Sequence, residues 1–335
     1  MTGTGSTRQR WVAFALVAVV ILAVGVVYLL NAVREQAEVQ ATPAEDVRND
    51  QSEVLAQPHI VFVSTQVDDS YGRVAAAPLD DPGGARVVTD TECERVTSDG
   101  ELGVCLSADR GVMTKYRAHV LGPDLQPVKE LSINGDGSRT RIADDGRLAA
   151  TTTFVTGHSY NQAGFSTETL VHDLATGESV NLEEFVTILD GKASTAIDRN
   201  VWGVTFAEGD TFFATVATGG STWLVRGDLS ARELRSLRTD AECPSLSPDG
   251  TRIAYKKRAG GGSWRLHVLD LASGEERAVD ESRSVDDQVE WLDDTSLLYA
   301  IPRAESATTD VWVVSADGGE PQVLIPGASS PAVVR

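Results

Sequence analysis

Residues 243–276 read CPSLSPDGTRIAYKKRAGGGSWRLHVLDLASGEE, the clearest copy of a unit that the chain repeats. The SPDG at 247–250 predicts a tight turn, because Pro presets φ and Gly accepts a positive φ. After it, Ile253 and Tyr255 share one face of an alternating run, and the glycines 260–262 mark a second turn. The unit is therefore predicted to be an antiparallel meander whose last three strands cover residues 252–256, 264–271 and 277–279.

Less regular copies of this unit occur on both sides of it, so that six units are predicted between residues 58 and 335. The first unit, which starts at His59, lacks a first strand, and residues 329–335 look like a first strand without a hairpin to follow. Each would complete the other, which favours a closed ring without free edges. A linear solenoid is the alternative, but it would leave the half-unit unpaired. We therefore expect an all-β, six-bladed β-propeller of four-stranded antiparallel blades, closed by the C-terminal strand.

The composition excludes some partners. The chain has 335 residues and a formal net charge of −20. Such a field repels nucleic-acid phosphate and anionic lipid head groups, which makes both poor partners. An acidic surface also serves solubility, so it does not by itself name a partner.

Residues 11–30 contain no charge and have the length that one helix needs to cross a bilayer. Arg8 and Arg10 precede this stretch, so the positive-inside rule places residues 1–10 in the cytoplasm. The sequence thus predicts a single-pass helix at 11–30, an extracytoplasmic stalk at 31–57 and a propeller at 58–335 outside the cytoplasmic membrane. A cleaved signal peptide is the alternative, although the only plausible cleavage site, 39–41, lies far past the apolar stretch.

Three cysteines in an extracytoplasmic chain suggest one disulfide. Cys93 and Cys105 flank the turn residues 98–100, and a hairpin centred on Asp99 would place them directly opposite each other, at the separation a disulfide requires. Cys243 is then expected to be a buried, unpaired residue.

Motifs of common catalytic and metal sites are missing from the sequence: there is no nucleophile elbow, zinc cluster or phosphate loop before a helix. His119 and His267 recur at one repeat position, which indicates a packing role. The acidic pairs 144–145, 286–287 and 293–294 lie in or beside predicted turns, and turn chemistry explains them better than calcium does. No cofactor is predicted, with calcium near the propeller axis as the one alternative.

The least expected feature is an insertion in the third unit. Its polar loop carries His158, Tyr160, Asn161 and Phe165 without a core-like period, a content typical of contact loops on rigid scaffolds. A floppy hairpin tip is the interpretation favoured over the contact role. The following segment, 182–200, contains apolar residues that are expected to pack on the propeller.

The runs LSPDGTRIAY (246–255) and LHVLDLASGEE (266–276) resemble the TolB-like repeat of bacterial envelope proteins. ADDGRLAA (143–150) with VHDLATGE (171–178), and VWVVSADGGE (311–320), keep recognisable halves of it. Together with the predicted anchor, CERV at 93–96 and WGVTF at 202–206, the pattern looks like anchored actinobacterial TolB-like proteins. The resemblance covers residues 58–335 and implies a six-bladed propeller with no catalytic residues to carry over. The separate N-terminal domain of periplasmic TolB is missing here.

The function expected from these features is a non-catalytic binding or scaffolding propeller at the outer face of the cytoplasmic membrane. Its partner would be an envelope protein or peptide, and the propeller itself is expected to be monomeric. The alternative is a calcium-dependent propeller enzyme of the lactonase or hydrolase type. A sensor that signals inward is less favoured, because only about ten residues precede the helix.

Overall fold

The computed structural model describes residues 11, 14–16, 51–155, 166–304, 306 and 308–335. Contacts divide the chain into two units, Met1–Asp46 and Val47–Arg335. In the first unit, Trp11 and residues 14–16 are helical. No helix among the described residues has both the length and the apolar character needed to cross a membrane. Most of the predicted span and stalk lies outside the described residues.

The second unit is all-β, and its described strands form six sheets that each contain a four-stranded antiparallel meander. We refer to these sheets as blades 1 to 6. From the innermost strand outward, blade 1 consists of β26 (Ala328–Val334), β1 (His59–Ser64), β2 (Arg73–Pro78) and β3 (Val87–Glu92). Blade 2 consists of β4 (Arg95–Ser98), β5 (Gly103–Arg110), β6 (Thr114–Leu121) and β7 (Pro127–Leu131). Blade 3 consists of β8 (Asp136–Ile142), β9 (Leu148–Val155), β10 (Ser166–Asp173) and β11 (Ser179–Asn181).

Blades 4 to 6 follow the same plan. The meander of blade 4 consists of β14 (Asn200–Phe206), β15 (Thr211–Thr218), β16 (Ser221–Asp228) and β17 (Glu233–Thr239). Blade 5 consists of β18 (Glu242–Leu246), β19 (Arg252–Ala259), β20 (Ser263–Asp270) and β21 (Glu276–Ala278). Blade 6 consists of β22 (Glu290–Trp291), β23 (Ser296–Pro302), β24 (Thr309–Ser315) and β25 (Gln322–Ile325). Blade 4 also carries β12 (Val186–Leu189) and β13 (Lys192–Ala193) at its outer edge.

The innermost strands form a closed ring. Each contacts the innermost strands of both neighbouring blades, in the order β26, β4, β8, β14, β18, β22 and back to β26. The ring closes where the C-terminal strand β26 pairs with β1, with Val333 opposite Ile60 and Ala332 opposite Val61. The prediction that residues 329–335 complete the first unit is confirmed.

Neighbouring blades pack face to face, so the inner strands are buried on both sides. On β19, Ile253 and Tyr255 are fully buried in a cluster with Phe213 of blade 4. Ala254, on the other face of the same strand, lies in a cluster with Trp291 of blade 6. Alternate residues of this strand therefore contact the blade on one side and the blade on the other. Neither set of side chains faces solvent, because both faces of the strand are buried.

Cys93 and Cys105 form a disulfide with a Cα–Cα distance of 5.5 Å. The predicted register of their hairpin is wrong, because Cys105 lies opposite Val96 and not opposite Cys93. The turn is longer than expected, since Asp99 Oδ1 accepts from the backbone N–H groups of Glu101 (2.9 Å) and Leu102 (2.7 Å). This shift moves the centre of the hairpin toward Cys105.

Cys93 therefore lies before β4, in the connection from blade 1 to blade 2. Its backbone N–H donates to the Gly72 carbonyl of blade 1 (2.8 Å), while Cys105 lies in the middle of β5. The disulfide links two blades through their connection and is not a bond within one hairpin. Cys243 is buried and unpaired, as predicted.

The segment after blade 3 packs on the propeller, as expected. Leu182 and Phe185 are buried in the core that blade 4 shares with blade 3, and the Arg232 guanidinium lies 5.0 Å from the Phe185 ring centroid. β12 then pairs in parallel with β17. At the start of the second unit, the short helix α1 (Gln51–Leu55) buries Val54 against blade 1, so the last part of the predicted stalk is ordered.

Candidate functional site

The turns between first and second strands open onto one concave face of the ring. Because neighbouring strands of a blade are antiparallel, these turns all lie on the same face, around the innermost strands. They surround a funnel of about 1020 Å³. Its charged lining consists of six carboxylates and three guanidinium groups: Asp99, Asp144, Asp145, Glu208, Asp249, Glu290, Arg141, Arg226 and Arg335.

One carboxylate from each of four consecutive turns forms what we call the acidic rim: Asp99, Asp144, Glu208 and Asp249 of blades 2 to 5. Turn geometry explains why acids occur here. Asp249 accepts from the Thr251 backbone N–H (3.0 Å) and from the Ser247 hydroxyl (2.6 Å). These bonds, led by the one from Ser247, lower the pKa of Asp249 and keep it ionised.

The floor of the funnel is an ion pair between Arg141 of blade 3 and Glu290 of blade 6. These blades lie opposite each other in the ring of six, so the pair spans the axis. The Arg141 Nη2 also donates to the Val289 carbonyl (3.1 Å), and the two side chains are only 15% and 14% exposed. The Trp291 indole beside them donates to the Ser245 carbonyl (2.9 Å).

Beyond the floor, the chain fills its own axial channel. The Gln288 side chain donates to the carbonyls of Val204 (3.0 Å) and Pro244 (2.9 Å), on blades 4 and 5. Asp287 lies 3.6 Å from Arg95 of blade 2, and Asp286 pairs with Lys256. A segment that enters from the connection before β22 thus contacts blades 2, 4 and 5 around the axis.

The position of residues 286–287 corrects the sequence interpretation, which placed this acidic pair in or beside a turn. Both aspartates pair with cations around the axis. The other two pairs do lie in turns, where Asp145 and Asp293 accept from the backbone N–H groups of Arg147 (3.0 Å) and Thr295 (2.7 Å). No group of three or more potential metal ligands occurs among the described residues.

Of the two recurring histidines, His119 lies on β6 opposite Cys105 and Glu130, and His267 makes structural side-chain contacts. The His267 ring stacks on Tyr255, and its Nδ1 lies 2.9 Å from Glu276. Glu276 also accepts from the Tyr255 hydroxyl and from Lys257 Nζ (2.8 Å). Arg238 of blade 4 pairs with the same carboxylate, so this cluster joins blades 4 and 5 away from the funnel.

The predicted contact residues His158, Tyr160, Asn161 and Phe165 lie outside the described residues, and their role stays a prediction. The residues that flank this loop, Val155 and Ser166, line a second cavity of about 420 Å³. Glu183 lies in the same cavity. Burial raises its pKa to about 7, although its carboxylate accepts from the backbone N–H of Thr169 (2.9 Å) and from the Thr167 hydroxyl (3.0 Å).

The sequence did not reveal Arg141, Glu290, Arg95 or Lys256 as site residues. Arg141, Glu290 and Arg95 lie on first strands and Lys256 lies on the second strand of blade 5, and a charged residue in an otherwise apolar unit was the available signal. Glu290 directly precedes Trp291, and Lys256 follows the buried stretch 253–255. Only the ring shows that these positions converge on one axis.

No family model matches the sequence, and no curated protein matches it. Solved structures do match the fold. TolB from Acinetobacter baumannii aligns with a TM-score of 0.57 and 17% identity over 83% of this chain and 66% of that one. A chain of the nidogen/laminin complex aligns with a TM-score of 0.56 and 10% identity, over 83% of this chain and 98% of that one.

A third structure, described as a TolB of Agrobacterium tumefaciens, aligns with a TM-score of 0.51 and 11% identity over 82% of this chain and 91% of that one. This chain spans 66% of the length of the Acinetobacter protein. At these identities the likeness concerns the fold. The second unit is a six-bladed β-propeller whose fold is similar to that of the TolB propeller.

Proposed function

We propose that this TolB-like propeller is a non-catalytic protein-binding module of the cell envelope, and that its funnel receives a segment of the partner protein. The observation that carries the proposal is the funnel itself. It is concave and lined by charged and polar groups on a closed, rigid ring. Rigid scaffolds that present loops around a concave surface are suited to binding.

The polar lining of the funnel favours a protein segment over a small apolar ligand. Small-molecule pockets usually measure about 300–1,000 Å³ and are mostly apolar. This funnel has about 1020 Å³, and six carboxylates with three guanidinium groups line it.

The same lining supports binding more than calcium-dependent hydrolysis. The rim residues Asp99 and Asp249 use a carboxylate oxygen to accept backbone N–H groups of their own turns. Calcium takes six to eight oxygen ligands, which requires carboxylates that converge on one point. Here the rim carboxylates are distributed over four separate turns.

The anchor is part of the proposal. Residues 11–30 would form a single membrane span with Arg8 and Arg10 on the cytoplasmic side, as in the anchored proteins that the sequence resembles. The propeller would then face the outside of the cytoplasmic membrane. Labelling of a cysteine introduced at exposed Asp69 by an impermeant reagent in intact cells tests this orientation, and protection of that cysteine until lysis would reverse it.

Photo-crosslinking in intact cells tests the binding function. A photoreactive residue would replace Arg226 or Pro248, which line the funnel, and Asp69 or Asp109, on the opposite face, would serve as matched controls. We expect one discrete adduct from the funnel positions that the control positions do not give. Adducts of equal yield from both faces would contradict a funnel site.

The same protein can be examined for the enzymatic alternative. Metal analysis of the purified chain, together with assays of lactone and ester hydrolysis, would detect stoichiometric calcium and turnover. If turnover were found and were lost with the calcium, the non-catalytic role would be wrong.

A further inference from the structure

We infer that the funnel selects a cationic, lysine- or arginine-bearing segment of its partner through the acidic rim. This inference rests on the proposed function, because it names the chemistry of the segment that the funnel receives. It begins with a local requirement. A tight turn favours Asp with Gly, which accounts for the rim residues Asp99, before Gly100, and Asp249, before Gly250; in blade 3 the turn residue is Asp145, next to the rim residue Asp144.

In the ring, the carboxylates of several turns together produce one negative electrostatic field. In an isolated hairpin one turn carboxylate has no consequence for binding. Blades 2 to 6 place their first turns on one face, so the turn acids surround a single opening. Blade 6 adds Asp293 and Asp294 to the same edge. Concave surfaces lined by one sign of charge concentrate the opposite charge.

The rim charges are available to a partner. Asp144, Glu208 and Asp249 are exposed, and Asp99 is half-buried. The arginines at this edge bind other acids, since Arg147 pairs with Asp210 (2.8 Å) and Arg252 pairs with Asp317 (3.1 Å). None of the ion pairs among the described residues involves a rim carboxylate.

The arginines inside the funnel do not cancel the rim. Arg141 is neutralised by Glu290. Arg335 donates to the Trp291 and Leu292 carbonyls and lies at the wall. Arg226 is exposed and is the one uncommitted guanidinium in the described lining. Carbonyls do not neutralise Arg335, so four rim carboxylates stand against the two charges of Arg226 and Arg335, and the mouth carries net negative charge.

The competing explanation is that any acidic protein with a net charge of −20 attracts cations everywhere. Two variants of equal charge separate these explanations. The rim variant carries D99N, D144N, E208Q and D249N, in which the amides keep the turn bonds that the carboxylates accept. The control variant carries D69N, E92Q, D109N and D190N, four exposed acids at strand ends on the opposite face.

The binding of labelled peptides to the purified full chain is then measured by fluorescence anisotropy. The probes are a short peptide in which lysine alternates with serine and a matching peptide in which glutamate replaces lysine. We expect the lysine peptide to bind the wild type more tightly than the glutamate peptide, with an affinity that falls as salt rises. The rim variant should bind it about tenfold more weakly or worse, and the control variant within about twofold of the wild type.

An equal loss in both variants would mean that only the overall field matters, and the inference would be wrong. Failure of the lysine peptide to bind the wild type, or unchanged binding by a folded rim variant, would also overturn it. Unfolding midpoints of both variants establish that they are folded. The proposed function is tested separately, by the crosslinking experiment. If a partner is crosslinked at the funnel but the rim variant binds the lysine peptide as well as the wild type does, the binding function stands and the cationic segment is rejected.

Discussion

At Gly203 the innermost strand of blade 4 approaches blade 5 so closely that no side chain has room. The residue has a φ of +65°, and a Cβ added there would lie 2.7 Å from the Cα of Cys243. The Cys243 backbone is held in place by its N–H, which donates to the Thr215 hydroxyl (2.8 Å). The contact fixes the spacing of two blades at the axis.

Gly203→Ala should therefore destabilise the propeller by about 3 kcal/mol or more, because it combines a left-handed conformation with a backbone clash. Gly209→Ala is a matched control, since Gly209 has a φ of +66° and no atom within 4 Å of an added Cβ. The control should lose only about 1 kcal/mol. Equal losses in the free energy of unfolding, measured in denaturant, would show that the blades can separate at this point.

Glu276 gives a pH-dependent prediction. Burial opposes its ionisation, but the hydrogen bonds from Lys257 and Tyr255 and the charge of Arg238 prevail and lower its pKa to about 2. Its ordinary value is 4.5, so the folded state binds the proton less readily than the unfolded state. The stability that this carboxylate contributes is complete above about pH 4.5 and is lost as the pH falls toward 2.

Glu276→Gln should lower the free energy of unfolding at pH 7 by about 2 kcal/mol, because it leaves four cationic or donor groups without their carboxylate. It should also reduce the loss of stability between pH 4.5 and pH 2. The neighbouring, exposed Glu275 provides the control as Glu275→Gln. If the two variants share one pH profile, the cluster around Glu276 does not hold blades 4 and 5 together.

At the scale of elements, the disulfide links the connection after blade 1 to β5 of blade 2. Replacing both cysteines, as Cys93→Ala with Cys105→Ala, should cost about 3 kcal/mol, the value for a loop of this length. The loss should appear first as faster hydrogen exchange in β3, β4 and β5. Cys243→Ala alters a buried thiol outside that connection, and faster exchange in β3 and β4 for this control would contradict the assignment.

The same connection shows where sequence reasoning succeeds and fails. The turns at 98–100 and 247–250 were predicted correctly because Asp, Pro and Gly act through their own backbone. The hairpin register was wrong because the sequence does not show that Cys93 belongs to the passage between blades. A disulfide needs only proximity, so the pairing survived an incorrect register.

At the scale of the whole molecule, the funnel could be predicted only in part. The acidic turns are visible in the sequence, since each follows from turn chemistry. Their convergence requires the ring, and so does the ion pair of Arg141 with Glu290, which lie 149 residues apart. The pair 286–287 was misread because an acidic pair looks the same in a turn and in a channel lined by Arg95 and Lys256.

Closure of the ring gives the last prediction. β26 lies between β1 and the axis, and Ala332, Val333 and Val334 are buried in the cores of blade 1 and its neighbours. Removal of residues 329–335 would expose these contacts and the edge of β1. We expect a loss of about 4 kcal/mol or more, from the apolar burial alone, in a single unfolding transition at lower denaturant.

Hydrogen exchange distinguishes a ring from a row of independent blades. If β26 closes a cooperative ring, the truncated chain should lose protection also in β9 and β15, on the far side of the axis. Removal of Arg335 alone, which is exposed and bonds only to carbonyls near Trp291 among the described residues, is the control and should leave protection unchanged. If protection is lost only in β1, β2 and β3, the blades are stable independently of one another. Each of the other blades then keeps its own core although the closing strand is missing.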